Sequence, residues 1–422
     1  MTDDGRRYAE AVETVLSLRK SLLADESGDR VSRRVALDRI AGRILVESVV
    51  ADRDVPPVSR ATMDGVAVDA DEEPPLPLAG ERVTPGDDPA DHEPGTARRV
   101  ATGAALPAGA DAVIPREDVT IEDDTLDAVS VGSGTAVDPG THVVARGSVV
   151  AAGETVLEAG RRLAPRDAAT LRDLGYEDVP VSPRLSVALL ATGTEIAEGC
   201  EPDRDSEFLA NLVRSWGAEA TLAGSVPDDP ERVGERIATL AADHDVVVTT
   251  GGTGVGRTDE TRAVLGDRAE VRVEDPPLRP GSGTTVAWLP DPGTAVVSLP
   301  GPPGAAFAGA TLLCRPLVVG RSRLPTFAGE LSCDLPVPDR DLTFVVPVEY
   351  RDGGGVDETD GLLSVVPFGH PTSTVELYGE RFRPHRVATC ARLSTADGFV
   401  LTEADLAAGE RVAVVPYTAV ES

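Results

Sequence analysis

A glycine-rich turn follows a short β-branched run in Asp245-Val246-Val247-Val248-Thr249-Thr250-Gly251-Gly252-Thr253-Gly254-Val255-Gly256-Arg257-Thr258-Asp259. A short apolar run bounded by glycines reads as a buried strand. The glycines let the backbone turn tightly and approach a ligand with no Cβ in the way. Thr258 and Asp259 are good N-cap residues for a following helix, with Gly266 as its stop. Free N–H groups at such a helix start suit a phosphate. The spacing is neither G-x-G-x-x-G nor a P-loop ending in Gly-Lys-Ser/Thr. A plain strand-to-helix turn accounts for the same residues equally well.

What must position this turn lies on either side of it. Leu185–Ala191 reads as a strand, followed by Thr192-Gly193-Thr194-Glu195. A helix after Asp205 carries Leu209, Leu212, Val213 and Trp216 on one face and ends at Gly217. Asp229-Pro230 opens the next helix as N-cap and first-turn proline. A later strand runs into Pro300-Gly301-Pro302-Pro303-Gly304. Strands alternating with helices imply a mostly parallel sheet with helices on both faces. Ligands of such sheets bind outside the carboxyl ends of the strands. Glu195, the Gly251–Asp259 loop and Pro300–Gly304 are therefore expected along one rim.

The flanks read differently. Apolar residues at helical spacing predict one helix from about Arg6 to Ala24 and a second over Val31–Val49. Asp54–Val68 is extended, because Pro56 and Pro57 bar a helix there. Residues 74–146, rich in Pro, Gly, Thr and Val, read as a small β domain containing Thr102-Gly103, and the segment from about Pro325 to Ser422 reads as another.

Composition bounds the partners. A 422-residue chain exceeds one core of ~250–300 residues, so several domains are expected. The formal net charge is -31, and Lys20 is the single lysine. An acidic, lysine-poor surface suits high salt, where ions screen self-repulsion, and argues against nucleic acid, which needs basic patches. Cys200, Cys314, Cys333 and Cys390 lie far apart, offering neither a zinc motif nor a disulfide framework. No signal-peptide core and no apolar run of ~18 residues is present, so a soluble cytoplasmic protein without membrane contact is expected.

Several motifs in order resemble one family. Asp54–Val68, Thr102–Ile114, Ala191-Thr192-Gly193-Thr194-Glu195-Ile196, Asp205-Ser206-Glu207, Thr250–Asp259, Arg279-Pro280-Gly281-Ser282-Gly283 and Leu299–Ala305 are similar to the signature segments of the molybdopterin molybdenumtransferases. These are MoeA-like proteins, related to the gephyrin E domain and the plant molybdenum insertase. The Gly-Gly-Thr-Gly form also resembles MogA and MoaB proteins.

The resemblance implies a multidomain α/β plus β chain with a central three-layer α/β/α, MogA-like domain. Residues 1–54 with 147–183 would form an N-terminal helical dimerisation domain. Residues 55–146 would form a small β domain, 184–322 the molybdopterin-binding domain and 323–422 a C-terminal β domain. The implied reaction inserts molybdate or tungstate into adenylylated molybdopterin and releases AMP, with Mg²⁺ as cofactor. The implied catalytic residues are Asp64, Thr102, Glu195 and Asp259, with Glu195 and Asp259 as metal ligands. Implied substrate contacts are Thr192, Gly193, Asp205, Gly251, Gly252, Gly254, Arg279, Gly281, Ser282, Pro300 and Gly301. A homodimer is implied, with a MogA/MoaB-like adenylyltransferase as a candidate partner.

Departures cluster around the anion site. Arg279 and Ser282 stand where the family has lysines, Ala305 replaces a serine, and Glu207 an asparagine. Pro302 and Gly304 replace an asparagine and a valine, and Gly147-Ser148-Val149 lacks the family's carboxylates. The alternative they leave open is a divergent molybdopterin-binding paralog with a delivery, regulatory or scaffold role. With 71 acidic residues against 40 basic ones, the melting temperature should fall when KCl is lowered from molar to millimolar; an unchanged temperature would contradict the salt adaptation.

Overall fold

The computed structural model describes residues 3–24, 31–122, 125–129, 137–251, 264, 269–338, 342–351 and 362–421. The chain divides into two compact units, Met1–Val31 with Ser182–Ser422, and Ser32–Val181. Helix α1 (Asp3–Leu22) presents Ala11, Val12, Val15 and Leu18 on one stripe. That stripe is buried in the core of the first unit, with Val187, Leu189, Val248 and Leu317. Arg19 donates to the Leu317 carbonyl at 2.8 Å and to that of Val318, satisfying the last turn of a helix that ends at Val319. The sequence grouped this helix with residues 147–183, but its apolar stripe is covered by the α/β core.

No helix forms over Val31–Val49. Arg33–Ala36 pairs antiparallel with Asp178–Val181, Leu37–Arg39 is a single 3-10 turn, and Val49–Val50 pairs with Thr155–Leu157. Gly42 takes a φ of +75°, which a helix interior cannot accept. The apolar spacing fits a helix, but pairing with strands over 100 residues away claims the backbone instead. In the same unit, β1 (Gly65–Val68) lies between β2 (Arg98–Val100) and β3 (Ala112–Pro115), antiparallel to both. A Cβ on Gly65 would sit 2.1 Å from the Ile114 carbonyl oxygen, so only glycine allows this pairing.

The first unit holds β4 (Ser186–Thr192), α2 (Ser206–Ser215), β5 (Glu219–Val226), α3 (Pro230–Ala241) and β6 (Val246–Gly251). Then come β7 (Glu270–Glu274), β8 (Thr285–Leu289), β9 (Thr294–Ser298) and α4 (Pro303–Gly309). The sheet order is β5-β4-β6-β9-β8-β7; the first four strands are parallel, and β8 and β7 are antiparallel additions. Side chains alternate across it. Val187 and Leu189 face a core shared with α1 and α2, while Ala188 and Leu190 face one shared with α3. The result is a three-layer α/β/α sandwich. As the sequence predicts, Asp229 caps α3, accepting from the Arg232 N–H at 3.0 Å.

Beyond α4 the helix continues through a π turn at Ala310–Cys314 to Val319. Strands β10 (Phe327–Leu331), β11 (Thr343–Tyr350), β12 (Leu363–Pro367), β13 (Gly398–Thr402) and β14 (Arg411–Pro416) then close on themselves, each paired on both sides. This small barrel is filled by Phe344, Phe368, Phe382 and Phe399.

Both tryptophans, Trp216 and Trp288, pack with the core that α1 enters. Leu18→Ala should therefore destabilise the urea transition seen by tryptophan fluorescence by about 2–4 kcal/mol. An unmoved transition would show that α1 is not part of that core.

Candidate functional site

Parallel pairing brings the strand ends of the sandwich to one edge. Thr192 pairs with both Val226 and Gly251, so β4, β5 and β6 end level. The residues just beyond these ends, with Pro300 and Gly301 after β9, line a cleft of about 710 Å³. Gly251 has a φ of +91°, and a Cβ there would lie 2.3 Å from the Thr192 carbonyl oxygen. The last residue of β6 thus lies against β4 at a distance only glycine permits.

Among the described residues, five carboxylates stand around this cleft, Glu195, Glu201, Asp203, Asp205 and Asp228, against one guanidinium, Arg204. Arg204 is itself paired with Glu201 at 3.2 Å. Burial, reinforced by the Glu195 charge, pushes Asp228 above the usual carboxylate range. The two turns are tied together where the Asp228 N–H donates to Thr194 Oγ1 at 3.2 Å.

Asp205 precedes α2 but does not cap it. Asp203 Oδ1 accepts from the N–H groups of Asp205 and Ser206, at 3.1 and 3.0 Å, and does that work. Asp205 is 7% exposed; its Oδ2 accepts from Thr250 Oγ1 at 2.9 Å, and its Oδ1 is buried without a hydrogen-bond partner among the described residues. Burial pushes its pKa up to about 6, against the Thr250 hydrogen bond.

Of the sequence-predicted residues, Glu195, Asp205, Gly251, Pro300 and Gly301 line this cleft. Thr192, Gly193, Arg279, Gly281 and Ser282 are outside its lining, whereas Gly283 belongs to it. Arg279 donates to the Leu278 carbonyl at 2.9 Å and lies 3.9 Å from Asp275 Oδ1. Gly252, Gly254 and Asp259 lie outside the described residues. Asp203 and Asp228 were missed by sequence reasoning. Their signal is a carboxylate two residues past a strand end or three before a helix, which is common enough in an acidic chain to pass unnoticed. Among the described residues, no group of three or more His, Cys, Asp or Glu is arranged to hold a metal.

Asp64 and Thr102 meet in the second unit. Asp64 Oδ1 accepts from the Thr102 N–H at 2.7 Å and from its Oγ1 at 2.8 Å, while Oδ2 accepts from Arg82 at 2.6 Å. The Thr102 bonds, then the Arg82 charge, hold the Asp64 carboxyl below the usual range. A carboxylate so occupied is a poor proton acceptor and a good brace, fixing the Thr102 turn and the Arg82 guanidinium. Arg82 lay in no motif and was not foreseen.

Comparison with known proteins agrees with this architecture. Residues 6–175 match the model of the MoeA N-terminal region (domain I and II), and residues 188–319 that of a probable molybdopterin binding domain. Molybdopterin molybdenumtransferase 2 of Mycobacterium tuberculosis is 31% identical over 304 residues, covering 67% of this chain and 73% of its own. Molybdopterin molybdenumtransferase of Nostoc sp. is 31% identical over 294 residues, 66% of each chain. The crystal structure of a molybdopterin biosynthesis MoeA protein from Pyrococcus horikosii superposes with a TM-score of 0.71 at 27% identity, over 96% of this chain and 98% of that one. Fold and matches together define a MoeA-type protein of molybdenum cofactor biosynthesis. The chain belongs to the molybdopterin molybdenumtransferase family and is a transferase.

Asp205 supplies a test of the electrostatics. Its proton is held more tightly in the folded than in the unfolded chain. Its stabilising contribution is therefore full below the ordinary value of 3.8 and is lost as pH rises through about 6. Asp205→Asn should raise the melting temperature at pH 8 and change it little at pH 4. An equal effect at both values would contradict the assignment.

Proposed function

We propose that this protein inserts molybdate, or tungstate, into adenylylated molybdopterin and releases AMP. The observation that carries this reading is the acidic cleft at the carboxyl ends of the parallel strands, where Gly251 ends β6 with no room for a side chain. A glycine turn brings backbone N–H groups up to a phosphate, but five carboxylates beside it would repel that phosphate unless a cation intervenes.

The residues present fit Mg²⁺. Glu195 and Asp228 offer hard oxygen donors, and Glu195 lies close enough to raise the pKa of Asp228. Mg²⁺ typically takes one or two carboxylates together with substrate phosphates. Bound there, it would supply neutralisation of phosphate charge as the phosphoanhydride breaks. Glu195 and Asp228 would hold the cation, with Asp259 as a further proposed ligand. Gly251, with Gly301 close beside it, would face the phosphates. Asp205 keeps Thr250 fixed at the end of β6. In the second unit, Asp64 orients Thr102, and both are proposed as catalytic residues. Arg279 retains one positive charge for the oxyanion where the family has a lysine, and Ser282 keeps only a hydroxyl. The protein is proposed to work as a cytoplasmic homodimer in high salt, on substrate supplied by a MogA/MoaB-like adenylyltransferase.

The test is AMP release from adenylylated molybdopterin in molar KCl, with and without molybdate and Mg²⁺. Molybdate-dependent release is expected. Glu195→Gln and Asp259→Asn should each slow it by at least ~10²-fold, the scale of losing one electrostatic stabiliser of a charged transition state. Adenylate binding without any AMP release would overturn the insertase reading in favour of a binding role, and full activity in both variants would remove these carboxylates from the mechanism.

A further inference from the structure

A second cavity in the first unit, of about 840 Å³, has the opposite character. Its walls come from α2, from the start of α4 and from the chain around residues 390–397 and 417–421. Pro303 lines both this cavity and the acidic cleft. The chain has only seven phenylalanines and five tyrosines in 422 residues, yet Phe208, Phe307, Tyr350 and Tyr417 all line this space. Phe307 and Tyr417 pack edge-to-face at 5.1 Å and 87°, and Tyr417 also packs on Phe399 at 5.8 Å, so part of the wall is braced by ring contacts.

Charge selects the ligand. Asp397 and Glu421 are the charged residues of the lining, and no lysine, arginine or histidine belongs to it among the described residues. Asp397 Oδ2 accepts from the Tyr350 N–H at 2.7 Å, but neither carboxylate takes part in an ion pair among the described residues. Burial pushes the Glu421 pKa up, as expected of a carboxylate with no cation beside it. An aromatic wall with negative charge at its edge disfavours phosphate, molybdate and other anions. It attracts a cation that also carries apolar surface, since ring faces and carboxylates both stabilise a positive head.

We propose that this cavity is a binding site for an apolar organic cation. The ammonium head sits by Asp397 and Glu421 among the tyrosines, and the body lies against Phe208, Leu212 and Phe307. The site is separate from the acidic cleft and does not depend on the insertase reading.

Cys390, half-buried, lines the cavity and can report its occupancy. Cys200 is exposed and Cys333 half-buried, so both are replaced by serine in the full chain; Cys314 is buried and is left. The rate of Cys390 alkylation by N-ethylmaleimide is then followed by intact mass at constant salt, against increasing benzyltrimethylammonium, benzyl alcohol or benzoate. The cation should protect saturably, with an apparent Kd about tenfold lower than that of benzyl alcohol, and benzoate should not protect. The Asp397→Asn/Glu421→Gln pair should abolish the advantage of the cation over the alcohol. Ser394→Trp, placed at an exposed position of the lining, should block the cavity and remove cation protection while melting like its parent. Equal protection by all three probes, no protection by the cation, or an undiminished cation advantage in the charge pair would overturn the proposal.

Discussion

Parallel pairing of β4 with β5 and β6 is the constraint on which the site depends. Strands paired in parallel with level ends must release their chains on the same side, and here the ends of β4, β5 and β6 open on one cleft. Gly251 makes this crowding possible, since any side chain would collide with the Thr192 carbonyl. Glu195 and Asp228 leave neighbouring strands, which places two like charges close together before any ligand arrives. Fold topology, more than any single side chain, concentrates negative charge there.

That concentration has a cost which the structure offsets only in part. Asp203 spends its carboxylate on the N–H groups at the start of α2, and Arg204 pairs with Glu201. Asp205 is buried with one oxygen on Thr250 and the other without a partner among the described residues. On the proposed reading, such a site becomes favourable when a cation and a phosphate enter together. The two cavities of the first unit divide the chemistry: hard oxygen donors in one, aromatic rings in the other, with Pro303 at both.

Local signals carried much of the fold. The β-branched run before Gly251, the Asp229-Pro230 start of α3 and the apolar face of α2 were legible because each is written within a dozen residues. Val31–Val49 was not. Its apolar spacing suits a helix, and only pairing with Asp178–Val181 and Thr155–Leu157 makes it extended. The stripe on α1 was readable, but what it packs against was not, since its partners lie more than 160 residues away. At the site, glycines and prolines in fixed motifs drew attention, whereas Asp203, Asp228 and Arg82 were hidden among many charged residues. Their significance comes from desolvation and from neighbours distant in sequence.

On the proposed reading, the cleft accepts a phosphate only in company with a cation. Titration calorimetry of AMP into the purified protein, at fixed molar KCl with either Mg²⁺ or EDTA, tests it most directly. Mg²⁺ should tighten AMP binding at least about tenfold, within the usual range of coupling between two ligands. Glu195→Gln combined with Asp228→Asn should remove that gain. The same AMP affinity in Mg²⁺ and in EDTA would contradict the account.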